Sequence, residues 1–186
     1  MASGLGVGCS PVKSLIRSWF AADDAAADEH GNPLRGLLDA LDRLEPDQAR
    51  YLAQFAYLLG RVAHADQHVG PEEIRTMEAL VRHEGNLADE LAVLVVGLAR
   101  TSNRMFGGTD NFIVARDFAA HATYAQRVAL LRCLFAVSVS EGSISIAEER
   151  EIQRIARELR IEQSDLVAMR LEHRQHLPGL SKRTEP

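Results

Sequence analysis

The feature that most constrains the fold of this chain is a helical stripe of apolar residues that ends in an acid. The stripe occurs twice. In each copy the residues follow one another at intervals of three or four positions, which places them on one face of an α-helix. The first copy is Leu52, Phe55, Leu59, Val62 and Asp66, and the second is Leu130, Leu134, Val137 and Glu141. Each helix is therefore expected to bury this face and to carry a carboxylate at its C-terminal end.

A second acid follows each stripe, at the start of the next predicted helix. Glu73 comes seven residues after Asp66, and Glu148 comes seven residues after Glu141. Each of these acids heads another inward stripe, which continues with Met77, Leu80 and Glu84 in the first copy and with Ile152, Ile155 and Leu159 in the second. The copies are offset by 75 residues. The pattern predicts two helix–loop–helix units related by a pseudo-twofold axis.

The composition extends this helical prediction to the whole chain. Aromatic residues make up only 5% of it, and β-branched residues at alternating positions are scarce beside runs of Ala, Leu, Glu and Arg. That usage favours helix over strand. We predict an all-α fold, a single helical domain of about seven to eight helices. The predicted helices cover residues 34–44, 47–66, 71–84, 87–101, 111–121, 124–140, 146–159 and 163–175.

Composition shifts divide the 186 residues into three parts. Residues 1–32 are predicted to form an amphipathic helix and an acidic linker, 33–177 the helical domain, and 178–186 a flexible tail. The N-terminal helix, Val12–Phe20, carries the only Trp on its apolar stripe. Three roles are open for it: packing on its own domain, docking on a protein partner, or peripheral contact with a membrane surface.

Charge and cysteine usage exclude several classes of protein. Lys and Arg total 21 and Asp and Glu total 26, so the net charge is −5, opposite in sign to that of a typical nucleic-acid binder. The two cysteines, Cys9 and Cys133, are too few and too far apart for a disulfide framework or a zinc cluster. No apolar run reaches the roughly 20 residues that cross a bilayer. We expect a cytoplasmic protein that binds no nucleic acid.

The four acids that anchor the repeat are the candidate site. If the two units pack about the predicted axis, Asp66, Glu73, Glu141 and Glu148 converge. Four carboxylates at close range repel one another and raise each other's pKa unless a cation lies between them. This arrangement predicts a divalent metal ion, with Mg, Ca, Mn and Zn as the candidates.

Helix capping without metal, and simple exposure to solvent, are the alternatives to a metal site. Ser145 and Glu148 match a capping box, and Glu73 lies in the first turn after Pro71, so helix starts alone account for two of the acids. Asp66 and Glu141 lie near helix C-termini, where the macrodipole disfavours an anion by about 0.3–1 kcal/mol. A cation, a basic side chain or backbone N–H groups must offset that cost.

Two histidines flank the first acid of the repeat. His64 and His68 are four residues apart on either side of Asp66, whereas the second copy has Val139 and Ser143 at the matching positions. A surface pair is the favoured interpretation. If they act as accessory ligands, their nitrogens shift the metal preference from Mg²⁺ or Ca²⁺ towards Zn²⁺ or Mn²⁺.

These stretches resemble a known family. Residues 63–73 (AHADQHVGPEE) and 138–148 (SVSEGSISIAE) are similar to the paired motif of the TerB-like tellurite-resistance family, which runs alanine, aspartate, glycine, a variable residue, an apolar residue and then glutamate. The family in turn resembles the N-terminal domain of the DjlA co-chaperone. The similarity extends over residues 34–175. Gln67 stands where the motif has glycine, and Glu141 stands where it has aspartate.

The resemblance implies an all-α domain with pseudo-twofold symmetry, no established catalytic activity and a proposed divalent-cation site. Transferred residue by residue, that site is Asp66 and Glu73 from the first copy and Glu141 and Glu148 from the second. It implies a non-enzymatic module that acts in a stress response of the tellurite-resistance type through protein partners.

Two other functions stay open beside this one. The first is a purely structural protein–protein interaction domain without metal, in which the acids only cap loops. The second is a metal-dependent hydrolase, although the sequence contains no phosphate-binding loop, nucleophile elbow or zinc-protease helix. The charged face of the helix over 146–159, which alternates Arg and Glu, is predicted to be solvated.

Overall fold

The computed structural model describes residues 33–62, 71–101, 108–140 and 142–178. Of residues 33, 34, 73, 101 and 108–110 it describes the backbone only. These residues form eight α-helices and one short 3₁₀-helix, without any strand, so the predicted all-α class is confirmed. The helices are α1 Pro33–Asp42, α2 Pro46–Gly60, α3 Pro71–Gly85, α4 Asp89–Thr101, α5 Gly108–His121, α6 Tyr124–Ser140, α7 Ile146–Glu158 and α8 Gln163–Glu172, followed by the 3₁₀-helix Arg174–His176.

Each of the eight predicted helices corresponds to an observed one. The largest difference is α2, which was predicted to continue to residue 66 but ends at Gly60. Arg61 still has helical dihedral angles, and the N–H of Val62 then bonds to the carbonyl of Leu59, 3.1 Å away. Such a bond over three residues tightens the chain into a turn that ends the helix.

Local signals account for the other helix ends. Pro46 begins α2, where its missing N–H costs nothing, and Pro71 begins α3 in the same way. Asn86 follows α3 with a φ of 51°, and the N–H of Leu87 bonds back to the carbonyl of Arg82 at 3.2 Å. This is a left-handed C-terminal cap, which asparagine adopts more readily than most residues.

The centre of the core is α2, which packs against α1, α4, α5 and α6. The residues of the first stripe that the structure describes, from Leu52 to Val62, are all buried. The same is true of Leu130, Leu134 and Val137 in the second copy. The apolar stripes therefore mark the core as predicted, except that α3 buries Val81 fully and Leu80 only in part.

The two helix–loop–helix units meet through α3, which packs most extensively on α6. In the second unit α6 and α7 pack on each other, whereas α3 of the first unit packs on α6 and α4. The pseudo-twofold relation stays a prediction.

None of the described helices is long and apolar enough to cross a membrane. The predicted helix Val12–Phe20 lies outside the described residues, as does the tail from residue 179. The three-part division of the chain stays a prediction.

Candidate functional site

The C-terminal end of α2 carries a buried cation, Arg61. Its guanidinium bonds to the Glu151 carboxylate at 2.6 Å and to the Glu158 carboxylate at 2.8 Å, both on α7. A further bond of 3.3 Å reaches the main-chain oxygen of Asn111 at the start of α5. The side chain of Arg61 is 3% exposed, against 25% for Glu151 and 9% for Glu158. One arginine thus joins three helices from inside the protein.

This network corrects one prediction from the sequence. The charged face of α7 was predicted to be solvated, but Glu151 and Glu158 turn inward to Arg61. Glu149 is also largely buried and binds Arg170 of α8. The arginines of this face, Arg150, Arg154, Arg157 and Arg160, stay exposed as predicted, and the half-exposed Arg154 reaches Glu158 at 3.3 Å. Arg61 itself could have been noticed, because it is the one charged residue in an otherwise apolar run over 55–63.

Arg61 lies at the start of the first acidic loop, the segment between α2 and α3 whose sequence includes Asp66. It lies five residues before Asp66, and its partner Glu151 lies three residues, or one helical turn, after Glu148. The ion pair therefore holds the start of the first loop close to the first turn of α7. It joins the last turn of α2 to the helix that carries Glu148.

The second acidic loop, which connects α6 to α7, is held by the C-terminal 3₁₀-helix Arg174–His176. The N–H of Ile144 donates to the carbonyl of His176 at 2.9 Å, and the His176 ring lies 2.9 Å from the carbonyl of Gly142 through its Nδ1. Ile144 is 1% exposed, so its side chain joins the core. Gly142 has a φ of +120°, which side chains rarely allow. The loop between α6 and α7 is thus anchored at both backbone and side-chain level.

Glu148, at the start of α7, forms the capping box expected from the sequence. The Ser145 hydroxyl accepts from the Glu148 N–H at 3.2 Å, and the Glu148 carboxylate accepts from the Ser145 N–H at 2.7 Å through Oε2. These bonds satisfy two orphan donors of the helix start. They occupy one carboxylate oxygen and leave Oε1 without a protein hydrogen bond among the described groups.

Most of the predicted ligands lie where no geometry is described. Asp66, Glu141, His64 and His68 are outside the described residues, and Glu73 is described only as part of the first turn of α3. Within the described part of the chain, no three His, Cys, Asp or Glu side chains are grouped so that they could hold a metal. The predicted set, which spans the gaps, stays a prediction.

The ring of His173, the residue before the 3₁₀-helix Arg174–His176, packs on the core helix α6. Its ring stacks on Phe135 with centroids 5.5 Å apart and planes 12° apart. Burial of the ring lowers the pKa of His173 below the ordinary value of 6.5, against the opposing effect of Glu172. The neutral imidazole is therefore the form that the fold accommodates.

This burial predicts a loss of stability in acid. As the pH falls, His173 is protonated near pH 6.5 in the unfolded chain but only at a lower pH in the folded chain. The free energy of unfolding therefore decreases as the pH falls below 6.5. We expect His173→Gln to lose less unfolding free energy than the parent between pH 7 and 5. Urea denaturation at both pH values measures the difference, and an NMR titration midpoint at or above 6.5 for His173 would contradict the explanation.

Cys133, the one cysteine of the described residues, offers no nucleophile. It is fully buried on α6, and burial raises the pKa of its thiol. A thiol held in its protonated form is a poor nucleophile and a poor metal ligand. Its role is packing, next to Gly85 and Phe55.

The comparison with known proteins agrees with the motif. Searches of curated proteins and of solved structures returned no match. A family model described as "Tellurite resistance protein TerB" matches residues 52–171, well over half of the chain. The match begins in α2 and ends in α8, so it contains both helix–loop–helix units and the Arg61 network. The chain belongs to the TerB family of tellurite resistance proteins.

Proposed function

We propose that this TerB-family chain is a non-enzymatic module that binds a divalent cation between its two acidic loops. In this state it presents a fixed surface to protein partners in a stress response of the tellurite-resistance type. The observation that carries the proposal is the Arg61–Glu151 ion pair, because it ties the start of the first acidic loop to the helix that carries Glu148.

The donors suit a hard cation. Asp66, Glu73, Glu141 and Glu148 supply only carboxylate oxygens, which Mg²⁺ and Ca²⁺ prefer. Glu148 keeps one oxygen for a metal while the other caps α7. His64 and His68, as accessory ligands, would favour Zn²⁺ or Mn²⁺ instead. The bound cation would supply positive charge at the C-terminus of α6, where Glu141, the next residue, otherwise faces an unfavourable dipole.

A structural interaction domain without metal is the second candidate. It is favoured by the anchoring of the second loop, where His176, Ser145 and Glu148 hold the backbone with protein groups alone. In that case the acids serve as caps, and the fold needs no cation. The third possibility is a metal-dependent hydrolase, in which the bound metal would activate water.

Thermal unfolding of the chelated full-length chain separates the first two candidates. Adding Mg²⁺, Ca²⁺, Mn²⁺ or Zn²⁺ at 100 times the dissociation constant is expected to stabilise the fold by about 2.7 kcal/mol, because the cation binds only the folded state. The measured quantities are the melting temperature with each cation and the metal content of the untreated protein. No shift with any cation, together with no bound metal, leaves the structural domain.

Charge-neutral variants test which residues are responsible. The double variant Asp66→Asn, Glu141→Gln is expected to abolish the response to cation. Without cation it is expected to be slightly more stable than the parent, because Glu141 directly follows the C-terminus of α6. The matched control removes the same charge at two exposed acids, Glu45→Gln and Glu90→Gln, and keeps the response. If the melting temperature of the Asp66→Asn, Glu141→Gln variant still rose with cation, the cation would bind at a site other than these acids.

A further inference from the structure

A cleft of about 530 Å³ opens at the N-terminal end of α2, at the opposite end of that helix from Arg61. Its walls come from the first turns of α2, the connection between α3 and α4, and the connection between α5 and α6. This volume lies within the range of pockets that bind small molecules, roughly 300–1,000 Å³. The cleft lies at the opposite end of α2 from Arg61 and beside the N-terminal end of α6, where Gln126 lines it, so the argument for it does not depend on the proposed cation site.

One wall of the cleft carries the aromatic ring of Tyr51. The rings of Tyr51 and Phe118 stack with centroids 5.4 Å apart and an angle of 23° between their planes. Both residues border the cleft, together with the partly buried Leu87 and Leu91, but Phe118 is only 1% exposed, so the aromatic surface open to a ligand is that of Tyr51. A planar apolar group has a matching surface here.

The polar groups behind this wall bond to each other. Gln54 is 1% exposed, and its amide donates to the Asp117 carboxylate at 2.5 Å. The His121 ring lies 2.9 Å from the main-chain oxygen of Asp117 and 3.4 Å from its carboxylate. This network fixes the wall and leaves little of these three groups for a ligand.

Two donors that line the cleft have no such partner. Neither the Arg50 guanidinium nor the Tyr51 hydroxyl has a hydrogen bond or an ion pair with any described residue. Both side chains are half-buried. Burial raises the pKa of Tyr51, so the hydroxyl keeps its proton and can donate. A cation and a neutral donor thus adjoin the aromatic wall without an acceptor of their own.

We propose that this cleft binds a small organic monocarboxylate with a planar apolar body, an aromatic acid. The carboxylate accepts from Arg50 and Tyr51, and the ligand ring lies against the half-buried Tyr51, which Phe118 supports from the core. A carboxylate matches the two donors because charge-assisted bonds to guanidinium are among the strongest in proteins.

The charges around the cleft distinguish this ligand from a phosphate. The exposed carboxylate of Asp47 lines the cleft, and Asp117 lies behind Gln54. A dianion would be repelled by both, whereas a monoanion is compensated by Arg50. An uncharged aromatic molecule would pack on the wall but would leave Arg50 without an acceptor.

The test is an NMR titration of the full-length chain with 2-naphthoate, 2-naphthamide and 2-naphthyl phosphate. We expect saturable shifts with naphthoate at Leu87, Leu91 and Phe118. The amide should bind at least about tenfold more weakly, the effect of losing one charge-assisted contact. The phosphate ester should also bind at least about tenfold more weakly, because Asp47 and Asp117 repel a dianion. Equal affinity for the amide, or naphthoate shifts confined to residues outside the cleft, would overturn the proposal.

Three variants separate the ion pair from the packing. Arg50→Gln is expected to lose about tenfold in affinity for naphthoate but not for naphthamide. Tyr51→Phe keeps the ring and is expected to lose several-fold through the missing hydroxyl. Arg43→Gln, which removes an exposed charge outside the cleft, is the matched control and should bind as the parent does. Unchanged naphthoate affinity in Arg50→Gln would contradict the assignment.

Discussion

Replacing Arg61 by Met is expected to lower the free energy of unfolding by about 3 kcal/mol, the lower end of the range for breaking a buried ion pair. The substitution leaves the Glu158 carboxylate, with a side chain 9% exposed, and Glu151, 25% exposed, with the half-exposed Arg154 as their remaining described counter-charge. The lower end applies because Glu151 retains part of its hydration. Urea denaturation of the parent and the variant measures the difference, given that the free energy of unfolding depends on urea concentration with the same slope in both proteins.

Two further variants make this prediction specific to the charge network. Arg154→Met removes a half-exposed arginine that touches the same two glutamates, and it should cost no more than about 1 kcal/mol because the pair is solvated. Adding Glu151→Gln and Glu158→Gln to Arg61→Met should recover much of the loss, since no buried charge then lacks a partner. An Arg61→Met variant as stable as the parent would show that the network contributes nothing to folding.

The helices of this protein could be predicted from the sequence because their signals are local. Stripes such as Leu52, Phe55 and Leu59 need only the period of an α-helix, and Pro71 or Ser145 marks a helix start within one turn. The buried faces and the capping box of α7 followed from these signals. The end of α2 did not, because the apolar stripe continues past Gly60 while the backbone has already tightened into a turn.

Contacts between distant parts of the chain were not predictable in this way. Arg61 and Glu151 are 90 residues apart, and nothing in either local pattern names the other as its partner. A charged residue at the edge of an apolar run only indicates that some partner exists. The bonds from His176 to Gly142 and Ile144 are similar, since a 3₁₀-turn after the last helix gives no sign of the loop on which it packs.

The candidate metal site shows how one residue can satisfy two interpretations. Glu148 was predicted both as a cap of α7 and as a ligand, and the capping bonds are present. Capping uses the Oε2 atom of its carboxylate, so the cap and a monodentate metal bond are compatible. The family match covers both copies of the motif. Binding of a cation is tested by the melting experiment.

Ile144→Ala is expected to lower the free energy of unfolding by about 3 kcal/mol, within the range for truncating a fully buried aliphatic side chain. Ile144 is the apolar residue of the second acidic loop, it is 1% exposed, and its N–H bonds to the carbonyl of His176. A cavity at this point removes the packing that positions the segment between Glu141 and Glu148. The same variant should therefore weaken any cation-induced stabilisation. Urea denaturation with and without the cation measures both effects.

The matched control is Ile146→Ala, the same change two residues later. Ile146 is 58% exposed at the start of α7, so its truncation should alter stability by no more than about 0.5 kcal/mol. It should also leave the cation response intact, because the capping bonds of Ser145 and Glu148 do not involve its side chain. If both variants lost the same stability, burial of Ile144 would not be what anchors the loop. If Ile144→Ala lost stability but kept the full cation response, the anchor would serve the fold and not the metal.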